Sequence, residues 1–308
     1  MHSIRDYHRI LLVANPRSGG GRAARTAERV ARALAARGGH VDMVLTRRAG
    51  DGAMTAGQLD GDHCLVLAVG GDGTFNEILN GADLERCTLG VVPAGTGNVL
   101  AKELGMSIFA RRAVRQLCEG RAARLDAGRC NGRRFISIFG AGVDGDIVHR
   151  LHASRGRTLT QANYVPFIMD EVLRPRRWNI RVEVDGQLFA TDADLAAVNN
   201  SHSYGGPIEM TPAAVPNDAL LDVMCARLAN TTERVNMAAC MFLRCLHLSP
   251  MVHYARGLRV RVSSDTPDVP FEVDGEAAGV LPAEVELEPA AVRVLAPPTF
   301  RPIRRELR

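Results

Sequence analysis

The sequence predicts two domains, an α/β domain with a parallel sheet followed by a mainly antiparallel β-sandwich. The chain has 308 residues, which exceeds the usual length of a single domain. Strand and helix patterns alternate as far as about residue 125, and short strands separated by Asn-Gly or Asp-Gly turns follow. We therefore place the domains at residues 1–128 and 129–308, and we allow for the last strand or the tail packing back on the first domain.

The first domain is predicted from short apolar runs, which are typical of buried parallel strands. Helices are predicted after the first and third runs, over about residues 22–37 and from Phe75 to Asn80. Because strands alternate with helices, we expect a parallel sheet with right-handed crossovers. The four predicted strands are residues 10–14, 41–45, 65–69 and 89–92.

The second domain is predicted from strand patterns that are separated by tight turns. Asn131-Gly132, Asp185-Gly186 and Asp274-Gly275 each indicate a hairpin. Two stretches interrupt the strands: residues 148–177 are partly helical and rich in Arg, and residues 231–248 form one predicted helix. The predicted strands are residues 134–138, 179–184, 195–198, 219–224, 258–262, 269–273, 285–287 and 292–295.

Charge, cysteine content and missing motifs argue against nucleic-acid-binding, disulfide-bonded, P-loop and membrane-spanning proteins. The net charge of +4 is too small to indicate nucleic-acid binding, although it suits an anionic substrate or an anionic membrane surface. The seven cysteines include no Cys-x-x-Cys pair, so we expect reduced thiols in a cytoplasmic protein. Lys102 is the only lysine, and the chain has no Gly-Lys-Ser/Thr, so a nucleotide is not held by a P-loop. No apolar run reaches the roughly 18 residues that cross a bilayer, so a lipid would be reached from the water side.

Three glycine-rich loops each follow a predicted parallel strand. Their sequences are Asn15-Pro16-Arg17-Ser18-Gly19, Gly70-Gly71-Asp72-Gly73-Thr74 and Pro93-Ala94-Gly95-Thr96-Gly97-Asn98. Loops at the carboxyl ends of parallel strands share one edge of the sheet, where ligands bind. Glycine permits close backbone approach, so N–H groups can face phosphate oxygens. The three loops together predict a phosphate-binding site.

Asp72 places a carboxylate in the middle loop, between glycines and beside a hydroxyl. A carboxylate that faces a triphosphate is repelled unless a cation lies between them, so Asp72 indicates Mg²⁺. The alternative is a turn aspartate that caps the next helix.

These loops resemble those of a known family. Gly-Gly-Asp-Gly-Thr is shared by diacylglycerol kinases, sphingosine kinases, NAD kinases and phosphofructokinases. The first and third loops are similar to the Asn-Pro-x-Ser-Gly and Pro-x-Gly-Thr-x-Asn loops of the lipid kinase branch. Asp274-Gly275-Glu276 resembles its late Asp-Gly-Glu element, and the motifs run in the family's order from about Arg9 to Pro297. The chain therefore resembles a bacterial-type diacylglycerol kinase with an NAD kinase/phosphofructokinase-like first domain.

The resemblance implies an activity and roles for individual residues. ATP with Mg²⁺ would phosphorylate a lipid hydroxyl, with Glu276 as general base and Asp72 and Asp274 as further catalytic carboxylates. Val215, Asp218 and Leu220 match a structural metal site built from one carboxylate and backbone carbonyls. The residues implied to bind ATP are Asn15, Pro16, Arg17, Ser18, Gly19, Thr46, Gly70, Gly71, Asp72, Gly73, Thr74, Phe75, Asn76 and Thr96.

Glu276 also makes chemical sense without the resemblance. Phosphoryl transfer needs alignment, charge neutralisation and a group that accepts the hydroxyl proton. Asp274 is a near neighbour, and two close carboxylates raise the pKa of one of them. The alternative is a type I′ turn at Asp274-Gly275 followed by a solvated strand residue at Glu276.

One departure from the family pattern bears on the substrate. The family commonly continues Gly-Thr-x-Asn-Asp, whereas this chain has Val99 in place of the last Asp. Diacylglycerol is the expected acceptor, and a sphingoid base or another lipid stays open. Two readings of other classes also stay open, a soluble-metabolite kinase similar to NAD kinase and a catalytically silent lipid or nucleotide sensor.

Membrane contact is expected to be peripheral and transient, and a homodimer stays open. The helix at 231–248 carries apolar residues that either line an acyl-chain cleft or form an ordinary core face. An apolar segment from Tyr164 to Met169 is flanked by arginines that suit an anionic surface; they are Arg150, Arg155, Arg157, Arg174, Arg176 and Arg177.

Overall fold

A computed structural model of the chain describes residues 4–154, 164–205 and 208–301. The chain divides into two compact units. The first consists of Met1–Leu125 together with Ala290–Pro302, and the second contains Asp126–Pro289.

The first unit is an α/β fold with a parallel sheet, as predicted. Its elements are β1 (Arg9–Ala14), α1 (Ser18–Ala35), β2 (Val41–Leu45), α2 (Asp51–Gly57), β3 (Cys64–Gly70), α3 (Asp72–Gly81), β4 (Cys87–Pro93), α4 (Val99–Glu103) and α5 (Ala110–Glu119). The strand order is β2-β1-β3-β4, and every pair is parallel. All residues of β3 and β4 are buried, which explains the continuous apolar runs at residues 65–69 and 89–92 within them.

The first helix follows a bend made by three glycines. Gly19, Gly20 and Gly21 have φ angles of 59°, 66° and 86°, so the regular part of α1 begins near Arg22, as predicted. Its buried face consists of Ala23, Ala27, Val30 and Leu34. The open end of the sheet therefore carries a glycine loop between β1 and the helix.

The second unit begins within β5 and ends within the last strand of the fold. Its elements are β5 (Arg121–Cys130), β6 (Arg133–Phe135), β7 (Ile138–Gly142), α6 (Val143–Ala153), α7 (Val165–Leu173), β8 (Ile180–Val184), β9 (Gln187–Ala193), β10 (Leu195–Asn199), β11 (Ser203–Gly205), β12 (Ile208–Glu209), β13 (Leu221–Ala226), α8 (Thr231–Phe242), β14 (Val252–Gly257), β15 (Arg259–Ser264), β16 (Pro270–Val273), β17 (Glu276–Val280) and β18 (Ala283–Ala296). In the first unit, Val294 of β18 pairs in parallel with Leu89.

The second unit is an antiparallel sandwich, as predicted. One sheet has the order β14-β13-β10-β7-β16-β17, and β15 pairs with β8 and β18 in the other. Buried residues from both sheets form one core, among them Phe139, Val198, Val182 and Val260. On β10, Leu195 and Ala197 point to the opposite face from Val198 and belong to a second core with Met237 of α8.

The three predicted hairpin turns are present. Asn131-Gly132 has φ angles of 46° and 89°, Asp185-Gly186 of 50° and 80°, and Asp274-Gly275 of 49° and 79°. Two successive positive φ angles are typical of type I′ turns, which suit the twist of a hairpin.

The predicted helix over residues 231–248 is too long. The helix α8 begins after Asn230, whose Oδ1 accepts a hydrogen bond from Glu233 N–H at 3.0 Å, and it ends at Phe242. Arg244 then has a φ of 55°, and Leu246–Leu248 forms a separate 3₁₀ turn. The apolar spacing continues through Leu246, a core residue, which is why the pattern suggested one helix. Among the described residues, no helix is long and apolar enough to span a bilayer.

Candidate functional site

Backbone groups of the three glycine-rich loops meet directly at one edge of the parallel sheet. Gly70 O, at the end of β3, accepts hydrogen bonds from the N–H groups of Ala94 (2.9 Å) and Gly95 (3.0 Å). A Cβ on Gly95 would lie 2.4 Å from the Cα of Gly71, and a Cβ on Gly19 would lie 2.0 Å from Ala94 O. Glycine is required at both positions because any side chain would push the loops apart. The predicted convergence of the loops is therefore a feature of the fold.

The first loop is closed by its own asparagine. Asn15 Oδ1 accepts a hydrogen bond from Arg17 N–H at 3.0 Å, and Asn15 O accepts one from Ser18 N–H at 3.0 Å. Arg17 is exposed, while Pro16 and Ser18 are partly exposed. Thr46 lies beside the end of β1, where its N–H donates to Ala14 O at 2.9 Å.

The middle loop offers mainly backbone groups at the sheet edge. Thr74 N–H donates to Gly71 O at 3.1 Å and begins the first turn of α3. Phe75 is a buried core residue, and Asn76 Oδ1 is buried and accepts a hydrogen bond from Asn80 at 2.7 Å. The side chains of Phe75 and Asn76 therefore support the loop from inside. In the third loop, Thr96 is exposed.

Asp72 points its carboxylate at backbone N–H groups at the start of α4, directly after the third loop. Asp72 Oδ1 accepts a hydrogen bond from Leu100 N–H at 3.3 Å. Burial raises the pKa of Asp72, while hydrogen bonds from Leu100, Val99 and Asn98 N–H lower it. Asp72 thus caps α4, which begins at Val99, rather than the helix that follows it directly.

Asp72 offers a cation one desolvated carboxylate but no second acidic ligand. Its carboxylate is desolvated, and a nearby Mg²⁺ would offset that cost with the oxygen ligation that Mg²⁺ prefers. Val99 contributes its N–H but no second carboxylate. Within the described ranges, no group of three or more His, Cys, Asp or Glu residues is gathered as a metal-binding cluster. Phosphate oxygens would have to complete the coordination of a metal ion at this point.

The predicted metal loop is held in shape by a residue outside it. Asp126 Oδ2 accepts a hydrogen bond from Ala219 N–H at 2.8 Å, and Asp126 N–H donates to Pro216 O at 2.7 Å. Ala219 has a φ of 59°, and Asp218 Oδ1 accepts from Leu220 N–H at 3.2 Å. The loop thus provides one carboxylate and backbone carbonyl oxygens, a donor chemistry that fits Mg²⁺.

The Asp274–Glu276 hairpin is anchored by the aspartate. The Asp274 carboxylate accepts hydrogen bonds from three consecutive N–H groups, those of Ile136 (2.9 Å), Ser137 (2.9 Å) and Ile138 (3.0 Å). Glu276 is half-exposed and forms an ion pair with Arg133. The two predicted carboxylates therefore differ in kind, because Asp274 is engaged by backbone and Glu276 is open to solvent.

A buried carboxyl group with a raised pKa lies in β16, four residues before Glu276; it belongs to Glu272. This side chain is fully buried, and burial followed by the charge of Asp144 raises its pKa well above the usual value. A side-chain hydrogen bond with Asp144 raises the pKa of Glu272 further. Glu272 Oε2 also accepts a hydrogen bond from Gly275 N–H at 2.5 Å, which ties the pair to the hairpin.

Two family models match the chain. The model of the diacylglycerol kinase catalytic domain matches residues 9–130, and that of the YegS C-terminal NAD kinase beta sandwich-like domain matches residues 137–296. A diacylglycerol kinase from Bacillus subtilis is 34% identical over 226 residues, which cover 71% of this chain and 73% of that protein. The chain belongs to the diacylglycerol kinase family. It is an ATP-dependent lipid kinase, which confirms the resemblance and argues against a soluble-metabolite kinase.

Further relatives match nearly the whole chain. A diacylglycerol kinase from Mycobacterium tuberculosis is 29% identical over 303 residues, or 94% of this chain and 95% of that protein. A crystal structure of a diacylglycerol kinase from Bacillus anthracis superposes with a TM-score of 0.73 at 19% identity, covering 96% and 99% of the two chains. A second structure from the same organism has a TM-score of 0.81 at 21% identity and covers 96% and 97%. At these identities the two structures support the fold alone.

Sequence reasoning missed four residues that lie in or beside the predicted site segments. Glu272 and Asp144 form the buried pair, Asp126 holds the metal loop, and Arg133 pairs with Glu276. A signal existed for Glu272, which lies between the apolar residues Phe271 and Val273 in a strand whose four residues are all buried. The other three act through partners far away in the chain, which a local pattern cannot show.

The arginines predicted to face a membrane are largely occupied by carboxylates. Arg150 donates to Asp146 at 3.1 Å and to Asp170 at 2.6 Å. Arg176 pairs with Asp146, Arg177 pairs with Asp194, and Arg174 is exposed. Arg155 and Arg157 lie outside the described residues. The helix α7 nevertheless exposes Val165, Met169 and Leu173, so part of the predicted surface is apolar.

Proposed function

We propose that this kinase transfers the γ-phosphate of ATP to the free hydroxyl of diacylglycerol and thereby produces phosphatidate. The observation that carries the proposal is the direct backbone contact of the three glycine-rich loops, Gly19 with Ala94 and Gly71 with Gly95. Such an edge presents N–H groups to phosphates. The acceptor is inferred from the named relatives in Bacillus subtilis and Mycobacterium tuberculosis. A sphingoid base or another lipid is the second candidate.

The nucleotide is proposed to lie along the loop edge of the first unit. The loop at Asn15–Gly19 and the loop at Gly70–Asn76 bind the phosphates through backbone N–H groups, with Thr46 and Thr96 as flanking contacts. The N-terminus of α3 adds the positive end of its helix dipole. Arg17 is an exposed cation at this edge and compensates for the absence of a P-loop lysine.

Mg²⁺ is proposed at two places with different purposes. At the nucleotide, Asp72 would hold the ion, which would neutralise phosphate charge during transfer. In the second unit, Val215, Asp218 and Leu220 would hold a structural ion, and Asp126 keeps their loop in shape. Both sites use oxygen donors only.

Glu276 is proposed as the group that accepts the hydroxyl proton. Its carboxylate is open to solvent, and Arg133 orients it. Asp274 is assigned a positioning role, because its oxygens are engaged by the N–H groups of Ile136, Ser137 and Ile138. A fixed hairpin matters because a general base must meet the hydroxyl within hydrogen-bond distance.

Replacement of Glu276 by Gln tests this assignment. The expected result is a fall in kcat of about 10²–10⁴-fold with ATP affinity unchanged, since the amide cannot accept the proton. The matched control is Glu284→Gln, an exposed glutamate in the same unit outside the site, which should keep wild-type kcat. Turnover by Glu276→Gln at the control rate shows that the base assignment is wrong. Peripheral membrane contact and a homodimer remain predictions of this account.

A further inference from the structure

Two large apolar side chains are exposed next to each other at the start of α5. Ile108 is 69% exposed and Phe109 is 64% exposed, although most large apolar residues of the first unit are buried. The opposite side of α5 packs into the core through Ala113, Val114 and Leu117. Ile108 and Phe109 therefore do not belong to the side of α5 that packs into the core.

The loop that carries the apolar pair is fixed by hydrogen bonds. Ser107 N–H donates to Gln116 Oε1 at 2.7 Å, and Gln116 Nε2 donates to Gly105 O at 2.8 Å. Phe109 N–H donates to Ser107 Oγ at 3.2 Å. Because one glutamine of α5 clamps both ends of the loop, the two side chains are held outward.

Three arginines follow the apolar pair. Arg111, Arg112 and Arg115 are all exposed, and Arg111 and Arg115 are four residues apart on one side of the helix. Residues 102–119 contain Lys102 and these arginines against Glu103 and Glu119, so the local net charge is positive. The first turn of α5 has no acidic residue. Cations at a helix N-terminus oppose the helix dipole, so the stability of the fold does not explain them.

We propose that Ile108, Phe109, Arg111, Arg112 and Arg115, hereafter the α5 surface, dock this kinase on an anionic lipid bilayer. The proposal rests on the proposed function in one respect, that the acceptor is a membrane lipid. Ile108 and Phe109 enter the boundary between head groups and acyl chains, while the guanidinium groups bind lipid phosphates. This surface lies outside the arginine-rich stretch that the sequence analysis associated with membranes.

A second copy of the chain is a poorer occupant of the α5 surface than a bilayer. In a two-fold dimer the same patch meets itself, which would bring the three arginines of each copy together. Like charges at close range repel, whereas an anionic bilayer neutralises all of them. Charge complementarity therefore favours the membrane.

Sedimentation with vesicles tests the proposal. The vesicles contain equal parts of phosphatidylglycerol and phosphatidylcholine, and pure phosphatidylcholine vesicles serve for comparison. One variant carries Arg111→Gln, Arg112→Gln and Arg115→Gln, and a second carries Ile108→Ser and Phe109→Ser. Each lost arginine should lower partitioning to the anionic vesicles about fivefold, so the triple variant should lose about a hundredfold. The apolar variant should lose about tenfold or more on the same vesicles.

Two controls separate this surface from other causes. Arg259→Gln with Arg261→Gln removes two exposed charges from β15 and should leave binding within about twofold of wild type. Met169→Ser with Leu173→Ser removes the exposed apolar residues of α7. The proposal is overturned if the β15 control loses as much vesicle binding as the α5 variants, or if only the α7 variant loses vesicle binding. It is also overturned if the wild type does not bind the anionic vesicles. So would α5 variants that abolish a dimer in solution while vesicle binding stays unchanged.

A water-soluble, short-chain diacylglycerol distinguishes failure of docking from failure of the proposed function. With this monomeric substrate the α5 variants should keep the wild-type kcat and ATP affinity, because no bilayer is involved. Glu276→Gln should show the opposite pattern, with normal vesicle binding and little turnover. Loss of turnover on the soluble substrate in the α5 variants, even in Phe109→Ser alone, contradicts a role limited to docking.

Discussion

Replacement of Glu272 by Gln should flatten the pH dependence of unfolding of the second unit. Glu272 is fully buried, has a raised pKa caused by burial and by the neighbouring Asp144, and accepts a hydrogen bond from Gly275 N–H. A glutamine can copy the protonated form, since Oε1 accepts from Gly275 while Nε2 donates to the Asp144 carboxylate. The substitution therefore removes a titrating group while the hydrogen bonds remain.

The direction of the pKa shift sets the sign of the pH dependence of the free energy of unfolding. The pKa of Glu272 in the folded chain lies well above its ordinary value of 4.5, because burial and Asp144 disfavour the charged form. Above its ordinary pKa the unfolded chain loses this proton, while the folded chain keeps it until the pH reaches the raised pKa of the folded state. In that window the free energy of unfolding decreases with rising pH by about 1.4 kcal/mol per pH unit from this group, and the decrease ends once the folded chain also loses the proton.

Tryptophan fluorescence during urea unfolding measures this effect. Trp178 is the only tryptophan in the sequence, and it is buried in the same core as Phe271 and Val273, so its signal reports the second unit. As the pH rises above about 5, the stability of wild type should fall relative to that of Glu272→Gln by up to about 1.4 kcal/mol per pH unit. Glu272→Ala is the comparison, and it should lose about 2–4 kcal/mol relative to wild type because its partners become unsatisfied. Parallel pH curves for wild type and Glu272→Gln would refute a raised pKa of Glu272.

Two further predictions concern single residues. Gly95→Ala places a Cβ 2.4 Å from the Cα of Gly71, so it should weaken ATP binding at least tenfold by calorimetry, about 1.4 kcal/mol; unchanged affinity would contradict the phosphate cradle. Asp194→Asn affects a fully buried carboxylate that accepts from Arg177 Nε, Trp178 N–H and Leu228 N–H, each at 2.9 Å. It should lower the free energy of unfolding by about 3–5 kcal/mol in the Trp178 assay, and a loss below about 1 kcal/mol would show that the contacts are unimportant.

Features with a local cause could be predicted from the sequence. The buried strands β1, β3 and β4 contain continuous apolar runs, because both of their faces are covered. The hairpin turns were visible because Asn-Gly and Asp-Gly accept the positive φ angles that the turns need. The glycines of the three loops were equally visible, since only glycine fits their approach.

Features that depend on distant partners could not be predicted. The hydrogen bond from Leu100 N–H at the start of α4 to Asp72 joins two segments far apart in the sequence. The same holds for the three N–H groups near β7 that donate to Asp274. The end of α8 was misjudged because Leu246 continues the apolar spacing beyond the positive φ of Arg244. The contacts of Asp72 and Asp274 join segments far apart in the sequence, so a local pattern cannot show them.

The central claim is that this kinase phosphorylates diacylglycerol. The most direct measurement incubates the full chain with ATP that carries an isotopic label in its γ-phosphate, Mg²⁺, NAD and a total lipid extract, followed by mass spectrometry of every labelled product. The account predicts that the label is recovered in phosphatidate. Label in a phosphorylated sphingoid base or in NADP, or bound ATP with no labelled product, would contradict it.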